Sequence, residues 1–229
     1  MSKLHHRVAS AALVDAYSEL ARLVGALDEA DFMQASRCAG WSVGDVLYHV
    51  LLDAQRALVA FGTPTTNKPT VDYVSYWRAW ADHRDEAAAA AHARFVRIAT
   101  AAYAGPRPLG QQWQETAAAV LHIASTLPGS ALVMTQGQTL TVTDLLATLA
   151  VEATVHHLDV LVDLPGKPEP RPGAIDLTVR VLDELLGPTT QRPPWEDVTW
   201  ILKGTGRIPL TPTERRTLAG SASRFPLIG

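Results

Sequence analysis

Residues 151–162 read VEATVHHLDVLV. Val151, Val155, Leu158 and Val162 recur at the spacing of an α-helical turn, and the stretch is apolar enough to lie in a core. It nevertheless carries Glu152 and two consecutive histidines, and unpaired polar groups in a buried helix are costly. Glu152 and His156 are four apart, so they share one face, one turn apart, within reach of a single ion. His157 points about 100° away from His156 and does not easily join the same site. It is expected either to support the site from outside or to be partly exposed.

A catalytic zinc-type centre commonly takes three protein ligands and leaves a fourth position open. The best third ligand is His49, another lone histidine in an apolar segment, WSVGDVLYHVLLDAQ (41–55). Taken alone, His49 reads more readily as a core histidine bonded to a backbone or carboxylate group than as a ligand. Asp45 and Asp53 lie one turn to either side of it, and either can orient the imidazole or act as a ligand. Asp159, three residues after His156, is a similar supporting candidate.

The chain has 229 residues, of which 47% are hydrophobic and 19% charged, enough for a substantial core. Its net charge is −3 and its basic residues form no stripe, which argues against nucleic acid as the main partner. Apolar runs are interrupted by charges before reaching the length of a membrane span, so no membrane partner is expected. The opening MSKLHHRVAS lacks an apolar signal core, which makes a cytoplasmic location the default expectation. Cys38 is the single cysteine, so neither a disulfide framework nor a cysteine-rich metal site is possible. Nothing in the sequence fixes the oligomeric state.

Helical periodicity covers most of the chain. Residues 8–27 put Ala12, Leu13, Ala16, Leu20, Leu23 and Val24 on one stripe. Residues 42–61 open with Ser42 and Asp45, close to a capping box. An Ala- and Arg-rich region, 72–102, is ended by Gly105, Pro106 and Pro108, and a further helix spans 111–126. Gln136-Gly137, flanked by Val133, Thr135, Thr139 and Thr141, marks a small hairpin or an extended excursion. Thr141 or Thr143 then caps the helix 143–163. The proline-rich DLPGKPEPRPG (163–173) is the clearest linker, followed by helices at 174–187, 195–203 and from Thr211. Trp77, Trp80, Trp113, Trp195 and Trp200 fit core packing, with Trp77 or Tyr73 available to wall a pocket mouth. The expected architecture is mostly α: a helical bundle over 1–165 and a small, mainly helical extension over 166–229 packing on it.

These segments carry a resemblance. GWSVGDVLYHV (40–50) looks like the Gly-Trp-Ser/Thr-x-x-Asp-x-x-x-His segment of the DinB-like superfamily. VEATVHHLDV (151–160) is similar to the Glu-x-x-x-His-x-x-Asp-Leu/Val segment of its actinobacterial, mycothiol-dependent maleylpyruvate isomerase-like branch. The closing LKGTGRIPLTPTERRTLAGSASRFPLIG resembles the tail of the same proteins. The resemblance implies an antiparallel four-helix bundle holding a divalent metal, usually Zn²⁺, through His49, Glu152 and His156. It departs from the pattern at His157, where the family has a small residue. It also implies mycothiol as the thiol cosubstrate, and a small-molecule electrophile attacked by a metal-bound thiolate, with cis–trans isomerisation or S-transfer as the outcome. An arginine of the C-terminal region holds a substrate carboxylate in such isomerases, and Arg207 is the positional candidate here. The linker and tail differ from the larger α/β C-terminal domain of some relatives, which argues against maleylpyruvate itself. Two other readings stand beside this one: a non-catalytic metal-binding bundle, and a metal-dependent hydrolase that activates water.

Overall fold

A computed structural model describes residues 4–82 and 85–228. The long helices are α1 (His6–Gly25), α3 (Val43–Gly62), α6 (Pro106–Thr126) and α7 (Val142–Val160). Each touches two of the others: α1 meets α6 and α7, and α3 meets the same pair, so the four close into a bundle. Shorter helices α2 (Glu29–Met33), α4 (Ser75–Asp82) and α5 (Glu86–Thr100) lie along the chain between α1 and α6, with α2 and α5 against α3. After the bundle come α8 (Pro172–Leu186), α9 (Asp197–Gly204) and α10 (Pro212–Leu218). α8 packs on α1 and α7, and α9 packs on α8.

Local chemistry explains most boundaries. Ser42 and Asp45 form a full capping box at the start of α3, as do Thr211 and Glu214 at α10, where Pro212 takes the first turn. Thr141 caps α7. The hairpin is present as β1 (Leu132–Thr135) and β2 (Gln138–Thr141), paired antiparallel. Gln136 and Gly137 both have positive φ (50° and 77°), the requirement of a two-residue type I′ turn. The region 72–102 contains two helices, the second capped by Asp85. Pro106 and Pro108 begin α6 and do not end what precedes it, because a missing N–H costs nothing in a first turn.

The core draws on every bundle helix, with Leu13, Leu20, Leu51, Leu109, Trp113 and Leu146 each no more than 2% exposed. Trp113 meets the Tyr17 ring edge-on at 4.9 Å. Trp77 and Trp200 are also buried, whereas the side chain of Trp80 lies outside the described residues. α7 is buried on all its faces. Together with the turn after it, Val142–Asp163 is long and apolar enough to cross a membrane by length and composition, contrary to the expectation from charge interruptions. Of the residues in its most apolar 18-residue window, 83% are buried inside the protein, as in the central helix of a bundle.

His157 is a second correction: only 1% exposed, it sends its Nε2–H to the Pro168 carbonyl at 2.8 Å. It anchors the proline-rich connection against α7 and faces away from His156.

At Gly44, in the first turn of α3, an added Cβ would lie 2.5 Å from the Phe32 ring. Helix propensity favours alanine over glycine by about 1 kcal/mol, but overpacking a buried ring costs about 1–3 kcal/mol. Gly44→Ala is therefore expected to lower stability by up to about 2 kcal/mol, read as a reduced urea midpoint at unchanged slope.

Candidate metal centre

Two walls of the bundle face each other across the site. α3 presents His49 and Asp53, one turn apart, and α7 presents Glu152 and His156, also one turn apart. The ligand-type atoms of His49, Glu152 and His156 lie within 4.8 Å of one another, and the His49 and His156 rings meet edge-on at 4.9 Å. The structure thus brings together all three residues singled out in the sequence, across 103 positions in the case of His49 and Glu152.

The hydrogen bonds around His156 show which of its nitrogens faces the cluster. Its Nδ1–H donates to Asp159 Oδ2 at 3.0 Å, which turns the Nε2 lone pair toward Glu152 Oε2, 3.4 Å away. Two electron-rich atoms facing each other require a cation between them, either a proton or a metal ion. The separation is close to the edge of about 3.3 Å expected of a tetrahedron with bonds of ~2.0–2.1 Å. Two imidazoles and one carboxylate are also a donor set that suits Zn²⁺, while admitting Ni²⁺, Mn²⁺ or Fe²⁺. The residues fit the ion.

Electrostatics distinguish the two imidazoles, and the proton that His156 favours is one that a metal ion would displace. Burial, with the neighbouring His156 imidazole, lowers His49 to about 3, so His49 is neutral and its lone pair available near pH 7. Burial works to lower His156 as well, but bonds to Asp159, Cys38 and Glu152 prevail and raise it well above its ordinary value. For Glu152 burial pushes upward, and the hydrogen bond and charge of His156 bring the carboxyl down. Burial and the Glu152 carboxylate raise Asp53 to about 7, against the opposing pull of Arg56 at 3.0 Å.

Behind His156 lies a network centred on Asp159, which is 0% exposed. Its carboxylate accepts from His156, from the Cys38 thiol at 3.2 Å, and from Arg207 through Nη2 at 3.0 Å and Nε at 3.2 Å. Burial alone would raise this carboxyl; His156 and Arg207 hold it well below the usual carboxylate range. Arg207 Nη1 donates to the Thr205 carbonyl at 3.0 Å. Cys38, His156 and Asp159 also bring ligand-type atoms within 4.8 Å of one another. There a guanidinium already supplies the positive charge, so this second group is a hydrogen-bond network and not a second cation site.

Of the other residues weighed from sequence, Asp53 approaches His49, its Oδ2 lying 3.6 Å from Nε2. Asp45 does not, because its carboxylate accepts from the Ser42 N–H in the capping box. Trp41 packs edge-on against His49 at 5.2 Å. Trp77 lines the cavity, while Tyr73 donates to Glu184 elsewhere. Two neighbours had not been singled out. His92 of α5 places Nε2 3.2 Å from His49 Nδ1, and Cys38 reaches Asp159 from the loop before α3. A histidine in an alanine-rich, largely exposed helix carries no periodic mark of that role.

A cavity of about 170 Å³ opens on the cluster, lined by His49, Glu152, His156, Arg207, Trp77, Val151, Val155 and Ile228. A larger hollow of about 800 Å³, between the end of α1 and the start of α6, contains none of these groups. Ile228 is held in place by the C-terminal strand of chain, whose Leu227 and Ile228 N–H groups donate to the Gly204 carbonyl at 2.7 and 3.2 Å.

Residues 13–161 match the family described as the mycothiol maleylpyruvate isomerase N-terminal domain. No curated protein matches by sequence. Among solved structures, a point mutant of the mycothiol-dependent maleylpyruvate isomerase aligns over 81% of this chain and 72% of its own. The identity is 17% and the TM-score 0.53, a likeness of fold. With the family matched across the bundle and both site segments inside the match, the chain belongs to the mycothiol maleylpyruvate isomerase N-terminal domain family and has its DinB-like, mostly α fold.

Proposed function

We propose that this protein is a thiol-dependent enzyme, with mycothiol as its cosubstrate, acting on small electrophiles by cis–trans isomerisation or S-transfer. His49, Glu152 and His156 would hold a divalent ion, Zn²⁺ fitting best. When bound, such an ion supplies positive charge that keeps a thiol deprotonated near neutral pH, and a position open to sulfur. The observation that carries the reading is the convergence of these three donors, from two facing helices, at one end of the cavity, within a family named for thiol-dependent isomerisation.

The chain's own groups have definite parts in it. Asp159 fixes the proton of His156 on Nδ1 and so aims Nε2 at the site. Arg207, carried by the segment after the linker, holds Asp159 in turn. The division into a bundle (1–165) and an extension (166–229) belongs to this proposal, with the extension completing the site. Trp77, Val151, Val155 and Ile228 exclude water from the reacting atoms. For isomerisation, thiolate sulfur adds to one carbon of an alkene conjugated to a carbonyl, and the π pair moves onto the carbonyl oxygen. The former double bond rotates, then the pair returns and sulfur leaves. No proton is consumed and no oxidant is needed.

The test is to incubate the metal-loaded protein with an activated cis-alkene and mycothiol, glutathione or no thiol. Turnover above the non-enzymatic rate with mycothiol, and little with the other two, is expected. Equal turnover without thiol would favour the hydrolase reading, and none under any condition the non-catalytic one.

A further inference from the structure

We infer that the cavity selects uncharged, carbonyl-activated electrophiles and disfavours those bearing a carboxylate. The inference rests on the thiol-dependent reading above and adds the charge of the substrate to it.

It follows from where the site's charges are already spent. Among the described residues lining the cavity, Arg207 is the one permanent cation. Its Nε and Nη2 are bonded to Asp159, whose carboxylate is fully buried, and its Nη1 to the Thr205 carbonyl. Turning Arg207 toward a substrate carboxylate would strand the Asp159 charge in the interior, which proteins strongly resist. On the side of Glu152, Arg56 is bonded to Asp53 and lines a separate narrow pocket. Glu152 itself is negative and 30% exposed at the cavity. A divalent ion held by Glu152 and two neutral imidazoles would keep one positive charge, which the thiolate of the proposed reaction would neutralise. An incoming carboxylate therefore finds no uncommitted cation among the described residues lining the cavity.

A neutral carbonyl is served better. A guanidinium has five N–H donors, and three of Arg207's are engaged, so two remain for an acceptor that brings no charge. They gain in strength as charge develops on a carbonyl oxygen during thiolate addition, the interaction that accelerates rather than merely binds. The remaining walls, Trp77, Val151, Val155 and Ile228, are apolar, and about 170 Å³ is small beside the 300–1,000 Å³ usual for ligand pockets. The fitting substrates are small unsaturated esters, ketones or amides.

The experiment uses dimethyl maleate, monomethyl maleate and maleate, which share one alkene and carry zero, one and two charges. Isomerisation to the trans products is followed with mycothiol and the metal-loaded protein, each corrected for its thiol-only rate. Equilibrium binding of the same three compounds is measured without thiol on the metal-free protein, where no ion is present to attract a carboxylate. The kcat/KM is expected to fall from diester to diacid by on the order of a hundred-fold, the scale of an uncompensated like-charge encounter. Maleate turned over or bound as well as the diester overturns the inference. If nothing is turned over, the thiol reading fails, while the binding series still decides the charge preference. Asp159→Asn, which keeps an acceptor for His156 and frees the Arg207 charge, should narrow the diester-to-maleate ratio at least ten-fold; an unchanged ratio counts against the argument. Should that variant not fold, Arg207→Gln replaces it. Its diester preference is expected to persist, whereas a selective ten-fold loss of maleate binding would show Arg207 gripping carboxylates and would overturn the inference.

Discussion

Purified His49→Ala protein is expected to lose its divalent ion, falling from one per chain to less than about a tenth under dialysis that leaves the parent loaded. Structural zinc sites bind with about 10–16 kcal/mol from four ligands, so one imidazole is worth about 3 kcal/mol, at least a hundred-fold in affinity. The substitution isolates that effect well. His49 is partly open to the cavity, with 16% of its side chain exposed, and burial disfavours its charged form. Removing it strands no ion pair, and the loss of fold stability in the metal-free protein should stay near 1 kcal/mol. Inductively coupled plasma analysis with thermal unfolding separates the two. A variant that keeps a stoichiometric ion would remove His49 from the centre and with it the proposed chemistry.

Asp159→Ala is expected to have the largest effect on stability, a loss of about 3–5 kcal/mol, since it leaves a buried guanidinium without its counter-charge. Arg207 is only 18% exposed and Asp159 not at all, so water cannot take over. The same change frees the His156 ring and leaves the Cys38 thiol without its acceptor. Metal affinity should therefore drop a further 10–100-fold, as outer-shell replacements generally cause. Urea unfolding of metal-free and metal-loaded protein resolves the two contributions. A loss under about 1 kcal/mol in the metal-free form would mean that the pair contributes little.

How far the sequence could be read depends on the range of the interaction concerned. Ser42 with Asp45, Thr211 with Glu214, and Gln136-Gly137 are local devices whose geometry is set within four residues, and each forms as its spacing implies. Glu152 and His156 were legible for the same reason, with His49 the matching lone histidine on a second helix. Pro106 was ambiguous because proline both ends one helix and opens another. His157 was misjudged because a helix buried on every face has no outside for periodicity to reveal. The contacts of Arg207 with Asp159, of Cys38 with Asp159 and of His92 with His49 join residues 48, 121 and 43 positions apart. Only packing of the whole chain creates them.

The enclosure of α7 also divides labour within the site. Glu152 and His156 stand on a helix wrapped by α1, α3 and α8, so exchanging its side chains disturbs the whole interior. Trp77 and Ile228 reach the same cavity from outlying segments, outside the four-helix interior. Retargeting by laboratory evolution should accordingly be steered to residues 73–79 and 225–228, leaving the central rod and the Arg207–Asp159 pair untouched.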